Sequence, residues 1–212
     1  MAWQAWVEQL KRGENFKREQ MRAAVDAMMS GSLDTGEMAD FLAALHAKGE
    51  TVEEIVGAAE SLRTHMCRVL PARTDLVDTC GTGGDRSGTF NVSTAAAVVA
   101  AACGVPIAKH GNRSVTSRSG SADVLEALGV TIDLPPEQVA RCIDEAGIGF
   151  CYAPRFHPAM KHVAAARRQL STPTVFNLLG PLANPAGAPF QLIGVGLAVA
   201  RRKLATALTQ LG

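Results

Sequence analysis

Residues 78–94 read Asp-Thr-Cys-Gly-Thr-Gly-Gly-Asp-Arg-Ser-Gly-Thr-Phe-Asn-Val-Ser-Thr, a set of residue types suited to holding an anion. Gly81, Gly83 and Gly84 carry no Cβ, so the backbone N–H groups around Thr82 are able to close on a phosphate. The turn follows the apolar pair Leu76-Val77, which reads as a buried strand, and Asp85 closes it. Asn91, Ser93 and Thr94 then lead into residues 95–103, an Ala/Val run expected to be a helix whose first N–H groups are open to an oxyanion. The glycines do not follow the G-x-G-x-x-G spacing, and no Gly-Lys-Ser/Thr follows them, so the phosphate ligand is of another kind. Taken alone, such a turn equally marks an ordinary tight bend.

A second polar cluster supports the anion reading. Lys109-His110-Gly111-Asn112-Arg113-Ser114 follows the apolar run 105–108 and continues through Val115-Thr116-Ser117-Arg118-Ser119-Gly120-Ser121-Ala122-Asp123. Cations and hydroxyls this dense need water or an anion to neutralise them, and a loop on a strand end is a usual place for function. A third segment, residues 171–189, is broken by Pro and Gly and is expected to be an irregular connection. Residues 160–170 before it look helical and carry Arg167-Arg168; such a pair usually faces solvent, yet one guanidinium is well shaped for a carboxylate.

The elements that must position these residues follow from periodicity. Up to Arg68, apolar residues recur at helical spacing: Trp3, Trp6, Val7 and Leu10, then Met21, Ala24, Val25 and Met28, then Met38, Phe41, Leu42 and Leu45. Thr51 with Glu54 predicts a capping box, and Asn15 and Thr35 are expected caps for the earlier helices. After Pro71 the pattern becomes short β-rich runs (76–77, 105–108, 130–134, 148–152) alternating with Ala-rich helical ones (95–103, 122–128, 138–146). The expected fold class is α/β: a small helical domain over residues 1–68 and a larger domain over 69–212 with a largely parallel sheet, residues 159–189 packing on the helical domain. A ligand is then expected at the carboxyl ends of the strands, where both polar loops fall.

Composition narrows the partners. The 212 residues are 47% hydrophobic and 19% charged, enough for one substantial core and a smaller one. A net charge of +1 argues against nucleic acid or an anionic membrane as the main partner. No run reaches membrane-spanning length, so the expected setting is cytoplasmic. Cys67, Cys80, Cys103, Cys142 and Cys151 form no C-x-x-C pair and read mostly as buried, reduced thiols.

Three segments in this order resemble the anthranilate phosphoribosyltransferases, tryptophan-pathway enzymes of the class III nucleoside phosphorylase and phosphoribosyltransferase fold family. The carrying residues are Gly81-Thr82-Gly83-Gly84-Asp85 with Asn91-Val92-Ser93-Thr94, then Lys109-His110-Gly111-Asn112-Arg113 with Ser119 to Leu125, then Phe176-Asn177-Leu178-Leu179-Gly180-Pro181-Leu182-Ala183-Asn184-Pro185. The resemblance implies transfer of the phosphoribosyl group of 5-phosphoribosyl-1-diphosphate to the amine of anthranilate, with Mg²⁺ as cofactor. By it, Gly81, Thr82, Gly83, Gly84, Asp85, Thr89, Asn91, Val92, Ser93 and Thr94, with Lys109, His110, Gly111, Asn112, Arg113, Ser114, Val115, Thr116, Ser117 and Ser121, surround the phosphoribosyl diphosphate. Ser93 also touches a magnesium ion, and Gly81, His110, Asn112 and Arg167 meet the anthranilate. Lys109 and His110 carry the catalytic expectation, Lys109 by stabilising charge on the leaving pyrophosphate and His110 by positioning. A homodimer through the helical domain is implied too, with the Trp3, Trp6 and Leu10 face as its candidate contact.

Two departures from the family pattern stand out. Pro173 occupies a slot where the family usually has arginine, and the sequence stops at Gly212, where family members run on and carry an Asp-Glu pair that binds magnesium. The expectation is a chain that holds most substrate-contacting residues but is impaired as a catalyst. A pyrimidine nucleoside phosphorylase-like enzyme and a non-catalytic ligand-binding relative are the alternatives.

Overall fold

The computed structural model describes residues 2–83, 88–114 and 119–212. They form two compact units, one of Met1–His65, Pro158–Leu182 and Ala198–Gly212, the other of Met66–His157 and Ala183–Leu197. A single cut after residue 68 does not describe this division, because residues 198–212 belong to the first unit. The physical reason is amphipathicity: the last helix buries Ala200, Leu204 and Ala207 along one stripe.

The first unit is helical. Its elements are α1 (Ala2–Lys11), α2 (Arg18–Met29), α3 (Thr35–Lys48), α4 (Val52–Thr64), α9 (Met160–Gln169), the single turn α10 (Phe176–Leu179) and α11 (Ala198–Leu211). Helix α2 packs on α4, α1 on α3, and α11 on α4. The Met and Phe residues read from the periodicity are core: Met21, Met28 and Phe41 are fully buried. Each large side chain of this kind stabilises the fold by about 2 kcal/mol.

Trp3 and Leu10 are buried within this unit, Trp3 stacked on Phe41 at 4.8 Å and donating Nε1–H to the Glu37 carbonyl at 3.1 Å. They are therefore core of a single chain, and of the expected dimer face only Trp6 is partly exposed.

Helix α4 starts with the expected capping box, the Glu54 carboxylate accepting from Thr51 N at 2.7 Å. Helix α3 is capped by Asp34 rather than Thr35, with Asp34 Oδ1 accepting from Glu37 N at 2.8 Å. Asn15 caps nothing; its side-chain oxygen accepts from Lys48 Nζ at 3.0 Å. That lysine completes a buried ion pair. Glu54 has no exposed surface, accepts from Lys48 Nζ at 2.9 Å and from Phe16 N at 2.8 Å, and so ties the α1–α2 connection and the end of α3 to the start of α4.

The second unit is α/β. Its elements are β1 (Val77–Gly81), α5 (Val92–Ala102), β2 (Ile107–Gly111), α6 (Ser121–Ala127), α7 (Pro136–Ala146), β3 (Ile148–Tyr152), the turn α8 (Ala153–Phe156) and β4 (Phe190–Gly194). The four strands are all parallel, in the order β3-β2-β1-β4. Val139, Ala140 and Ile143 of α7 fill one face against Leu76, Ala108, Cys151 and Phe156.

Three local expectations change. Lys109, His110 and Gly111 lie within β2, paired with Phe150, Cys151 and Tyr152, rather than in the loop after it. Residues 130–134 form no strand: Val130 N–H bonds back to Leu125 O at 2.9 Å to end α6, and Ile132 plugs a small cluster with Ala122 and Leu125. Cys67 and Cys103 are exposed, whereas Cys80 and Cys151 are buried. No helix among the described residues is long and apolar enough to cross a membrane.

Removing Lys48 while leaving Glu54 strands a buried carboxylate, which typically costs at least about 3 kcal/mol. Lys48→Met should accordingly lower the unfolding free energy obtained from urea titration by that order, and an unchanged value would show that the backbone N–H groups alone satisfy Glu54.

Candidate anion and aromatic-acid site

The parallel sheet brings the carboxyl ends of all its strands to one edge, and the strand order reverses between β1 and β4. At that reversal Thr82 N donates to Gly194 O at 2.9 Å, and Gly196 N donates to Thr82 Oγ1 at 3.2 Å. In open α/β sheets this crevice is where ligands bind. Gly83, just past the end of β1, has φ +68°, a conformation few side chains tolerate.

One buried carboxylate organises the strands behind this edge. Asp78 of β1 has no exposed surface. Its Oδ1 accepts from His110 N at 3.1 Å, and its Oδ2 accepts from Asn184 Nδ2 at 2.8 Å and Gln191 Nε2 at 3.4 Å. Asn184 also donates to Ala108 O at 2.8 Å. Burial pushes the Asp78 carboxyl above its ordinary range, opposed by these donors and by Lys109.

Lys109 points the other way from the same stretch of β2. Only 3% exposed, its ammonium donates to Thr79 O at 2.5 Å and stands 3.5 Å from Ser93 Oγ. Asp78 attracts it, but among the described residues no carboxylate oxygen lies within ion-pair distance of it. Desolvation pulls its pKa below the ordinary lysine range. A nearby phosphate would favour the charged form and offset that burial.

Thr79 links this lysine to α5, its hydroxyl donating to Ser93 O at 2.8 Å. Asn91 caps α5: its Oδ1 accepts from Thr94 N at 3.1 Å, Thr94 Oγ1 at 2.8 Å and Ser93 Oγ at 3.1 Å. The first turn of the helix, with Val92 exposed and Ser93 half-buried, is thus fixed beside Lys109. Thr89 is exposed on the approach to it. The Mg²⁺ that the resemblance implies requires hard oxygen ligands. Among the described residues no group of three or more His, Cys, Asp or Glu stands together. The Asn91 side-chain oxygen is already taken by three donors, so the Ser93 hydroxyl oxygen is the hard ligand here, which fits an ion taking most of its ligands from substrate phosphates.

His110, 6% exposed, lies with Nε2 3.2 Å from Nε2 of His157, which is 5% exposed. With both rings neutral, one Nε2 donates and the other accepts, so the two imidazoles take opposite tautomers. Burial first, and the neighbouring His110 second, push the His157 pKa down to about 3. The sequence reading missed His157, and it quoted Asp78 and Asn184 only within longer motifs, without a role; each acts through a partner distant in sequence.

Gly81, Thr82, Gly83, Asn91, Ser93, Thr94, Lys109, His110, Gly111, Asn112, Arg113, Ser114 and Ser121 all belong to the α/β unit, on or just beyond β1, β2 and the starts of α5 and α6. Gly84, Asp85, Val115, Thr116 and Ser117 lie outside the described residues. Arg167 belongs to the helical unit, on α9. Its guanidinium lies 5.8 Å from the Phe176 ring and 3.5 Å from Asn177 Oδ1, and burial lowers its pKa. It has no carboxylate partner among the described residues, whereas Arg168 is exposed.

Comparison with known proteins agrees with this architecture. Residues 73–212 match the glycosyl transferase family, a/b domain, and residues 4–66 match the glycosyl transferase family, helical bundle domain. Among curated relatives, the anthranilate phosphoribosyltransferase of Rhodopirellula baltica is 53% identical over 199 residues, and that of Methylobacterium radiotolerans 56% over 200. In both cases the alignment takes in 94% of this chain and 58% of the relative. The crystal structure of anthranilate phosphoribosyltransferase from Thermus thermophilus superposes with a TM-score of 0.91 at 46% identity, over 98% of this chain and 63% of that one. The Saccharomyces cerevisiae enzyme, solved in complex with PRPP and Mg, gives 0.87 at 31% identity, over 98% and 62%. The chain belongs to the glycosyl transferase family that these two domains define. It spans about three-fifths of the length of these relatives.

A histidine whose folded pKa lies below its unfolded value of about 6.5 binds fewer protons when folded, so stability falls as pH drops from there toward 3. In thermal or urea unfolding from pH 7 to 4, His157→Leu should show a shallower acid loss than the parent, by up to about 1.4 kcal/mol per pH unit. Parallel slopes would mean that His157 titrates normally.

Proposed function

We propose that this chain carries the donor- and acceptor-binding residues of an anthranilate phosphoribosyltransferase, and that the reaction is displacement of pyrophosphate from 5-phosphoribosyl-1-diphosphate by the amine of anthranilate. The observation that supports this most is the buried Lys109 ammonium, which Asp78 attracts but which has no carboxylate oxygen within ion-pair distance among the described residues, at the edge where the Gly81 turn and the capped start of α5 meet. An anion of several phosphates supplies the missing charge. The names of the relatives supply the substrate pair.

As the anomeric C–O bond stretches, negative charge grows on the leaving pyrophosphate. Lys109 and the N–H groups at the start of α5 and around Gly81 are aimed where that charge develops, and they are already fixed by Thr79 and Asn91. A bound Mg²⁺, held in part by Ser93, supplies further neutralisation of phosphate charge. The remaining residues of the list given above from the resemblance, including those outside the described set, are part of the same proposal, Arg113 by its backbone rather than by its guanidinium. The acceptor is an aromatic amine, neutral at pH 7, so it attacks without prior deprotonation; as the C–N bond forms and the C–O bond breaks, one N–H proton passes to solvent or to the departing pyrophosphate, and what the protein must supply first is orientation. His110, its tautomer tied to that of neutral His157, positions it beside Gly81 and Asn112. Arg167 is the proposed partner of the anthranilate carboxylate, a desolvated guanidinium suited to a bidentate contact. A homodimer, its contact lying elsewhere than the Trp3 and Leu10 side chains, and a cytoplasmic setting belong to the same reading.

Loss of anthranilate fluorescence on adding 5-phosphoribosyl-1-diphosphate and Mg²⁺ tests the reading directly. Reduced but measurable turnover is expected in the parent, in keeping with the impaired catalyst expected above, and Lys109→Ala should abolish it; turnover surviving in that variant would refute the role of Lys109. Arg167→Ala should separate the two substrates, reducing kcat/KM for anthranilate on the order of 10- to 100-fold, as for loss of a charge-assisted contact, while leaving the KM of the donor in place. An equal effect on both substrates would move Arg167 out of the acceptor role.

A further inference from the structure

The backbone leaving β2 doubles back on the start of α6 more closely than side chains allow. A Cβ on Gly120 would lie 2.4 Å from Ser114 N and 2.5 Å from Asn112 O, and one on Gly111 would lie 2.1 Å from Ser121 Oγ. Asn112 O accepts from Ala122 N at 3.2 Å and from Ser121 Oγ at 3.3 Å. At the centre of this approach stands one carboxylate. Asp123 Oδ2 accepts from Gly120 N at 2.7 Å and from Ser114 N at 2.9 Å, so a single oxygen holds both limbs of the segment. Asp123 Oδ1 accepts from Arg113 at 3.3 Å, and Arg113 forms a two-bond pair with Glu126 at 2.7 and 3.0 Å. The Arg113 guanidinium is thereby committed to α6.

We propose that Asp123 is a positioning residue: by clamping the N–H groups of Ser114 and Gly120 it holds the backbone at Asn112–Ser114 in the geometry that receives the phosphoribosyl diphosphate, while the Arg113 guanidinium stays paired with Glu126 instead of reaching the phosphates. The inference rests on the reading of this chain as a binder of that donor. The carboxylate is held below its ordinary range, chiefly by the Ser114 and Gly120 N–H groups, so the clamp is charged at every pH of interest. Asparagine keeps an oxygen able to accept both N–H groups, and alanine keeps none, so the two variants separate acceptor geometry from mere occupancy of the site.

The test combines two readouts on the full chain. Amide hydrogen exchange at Ser114 and Gly120 should accelerate at least tenfold in Asp123→Ala and stay near the parent rate in Asp123→Asn. Titration calorimetry with 5-phosphoribosyl-1-diphosphate and Mg²⁺ should show donor affinity weakened about tenfold or more in Asp123→Ala, largely restored in Asp123→Asn, and little changed in Glu126→Gln. Donor binding by Asp123→Ala equal to the parent would overturn the proposal while leaving the donor reading intact. Weakening by Glu126→Gln as large as by Asp123→Ala would overturn it in favour of a direct guanidinium contact. Failure of the parent itself to bind the donor would refute the donor reading and this extension together. Should Asp123→Ala not fold, the Asn variant decides, since a severe loss of affinity there contradicts a clamp that needs only an acceptor.

Discussion

A carboxyl group without water must find partners, and Asp78 finds donors on three separate pieces of chain: β2 through His110 N, the 183–186 connection through Asn184, and β4 through Gln191. Because Asn184 simultaneously bonds Ala108 O, the strand next to β1 is held from two directions. An unpaired carboxylate at this depth would be costly, so these segments are bound to one arrangement. The arrangement sets where β2 stands beside β1, and with it where Lys109 and His110 emerge. The proposed site thus depends on a residue that the proposal gives no contact with either substrate.

The same economy recurs at α5. Thr79 offers its hydroxyl to the helix and its carbonyl to Lys109, so that a single β1 residue places both the cation and the helix start. Asn91 then spends one oxygen on three donors. Preorganisation here comes from side chains shorter than the distances they organise, a rigid design suited to stabilising charge that appears only as a bond breaks. His157 adds a neutral wall rather than a charge, because its burial keeps the proton off.

Much of this was legible in the sequence. The helical stripes around Met21, Phe41 and Leu45, the Thr51–Glu54 box and the alternation of strands with Ala-rich helices follow from local rules, and the structure has them. Strand limits were less legible. Lys109 and His110 read as loop because they are polar, yet both are buried in β2, and their place there depends on pairing with β3. Residues 130–134 have the composition of a strand but serve to end α6, a choice made by the bond from Val130 to Leu125. Asp34 took the cap expected of Thr35, one residue away, a shift that preference for either residue type cannot resolve. At the site, residues with glycine, lysine or hydroxyl signatures could be named in advance. Asp78, His157 and Asn184 could not, since their meaning lies in contacts across long stretches of sequence.

Strand β4 shows the opposite of a buried strand. Phe190 and Leu192 alternate outward with large exposed apolar faces, on the strand that ends the sheet among the described residues. Such an edge is a template for other strands, and its attraction grows in solutes that are excluded from protein surfaces. Ammonium sulfate and phosphate, ordinary choices for concentrating or crystallising a protein, therefore act on this chain twice. They press the Phe190 edge toward any apolar neighbour, and if the proposed donor site is right they also compete, as anions, for the ground beside Lys109.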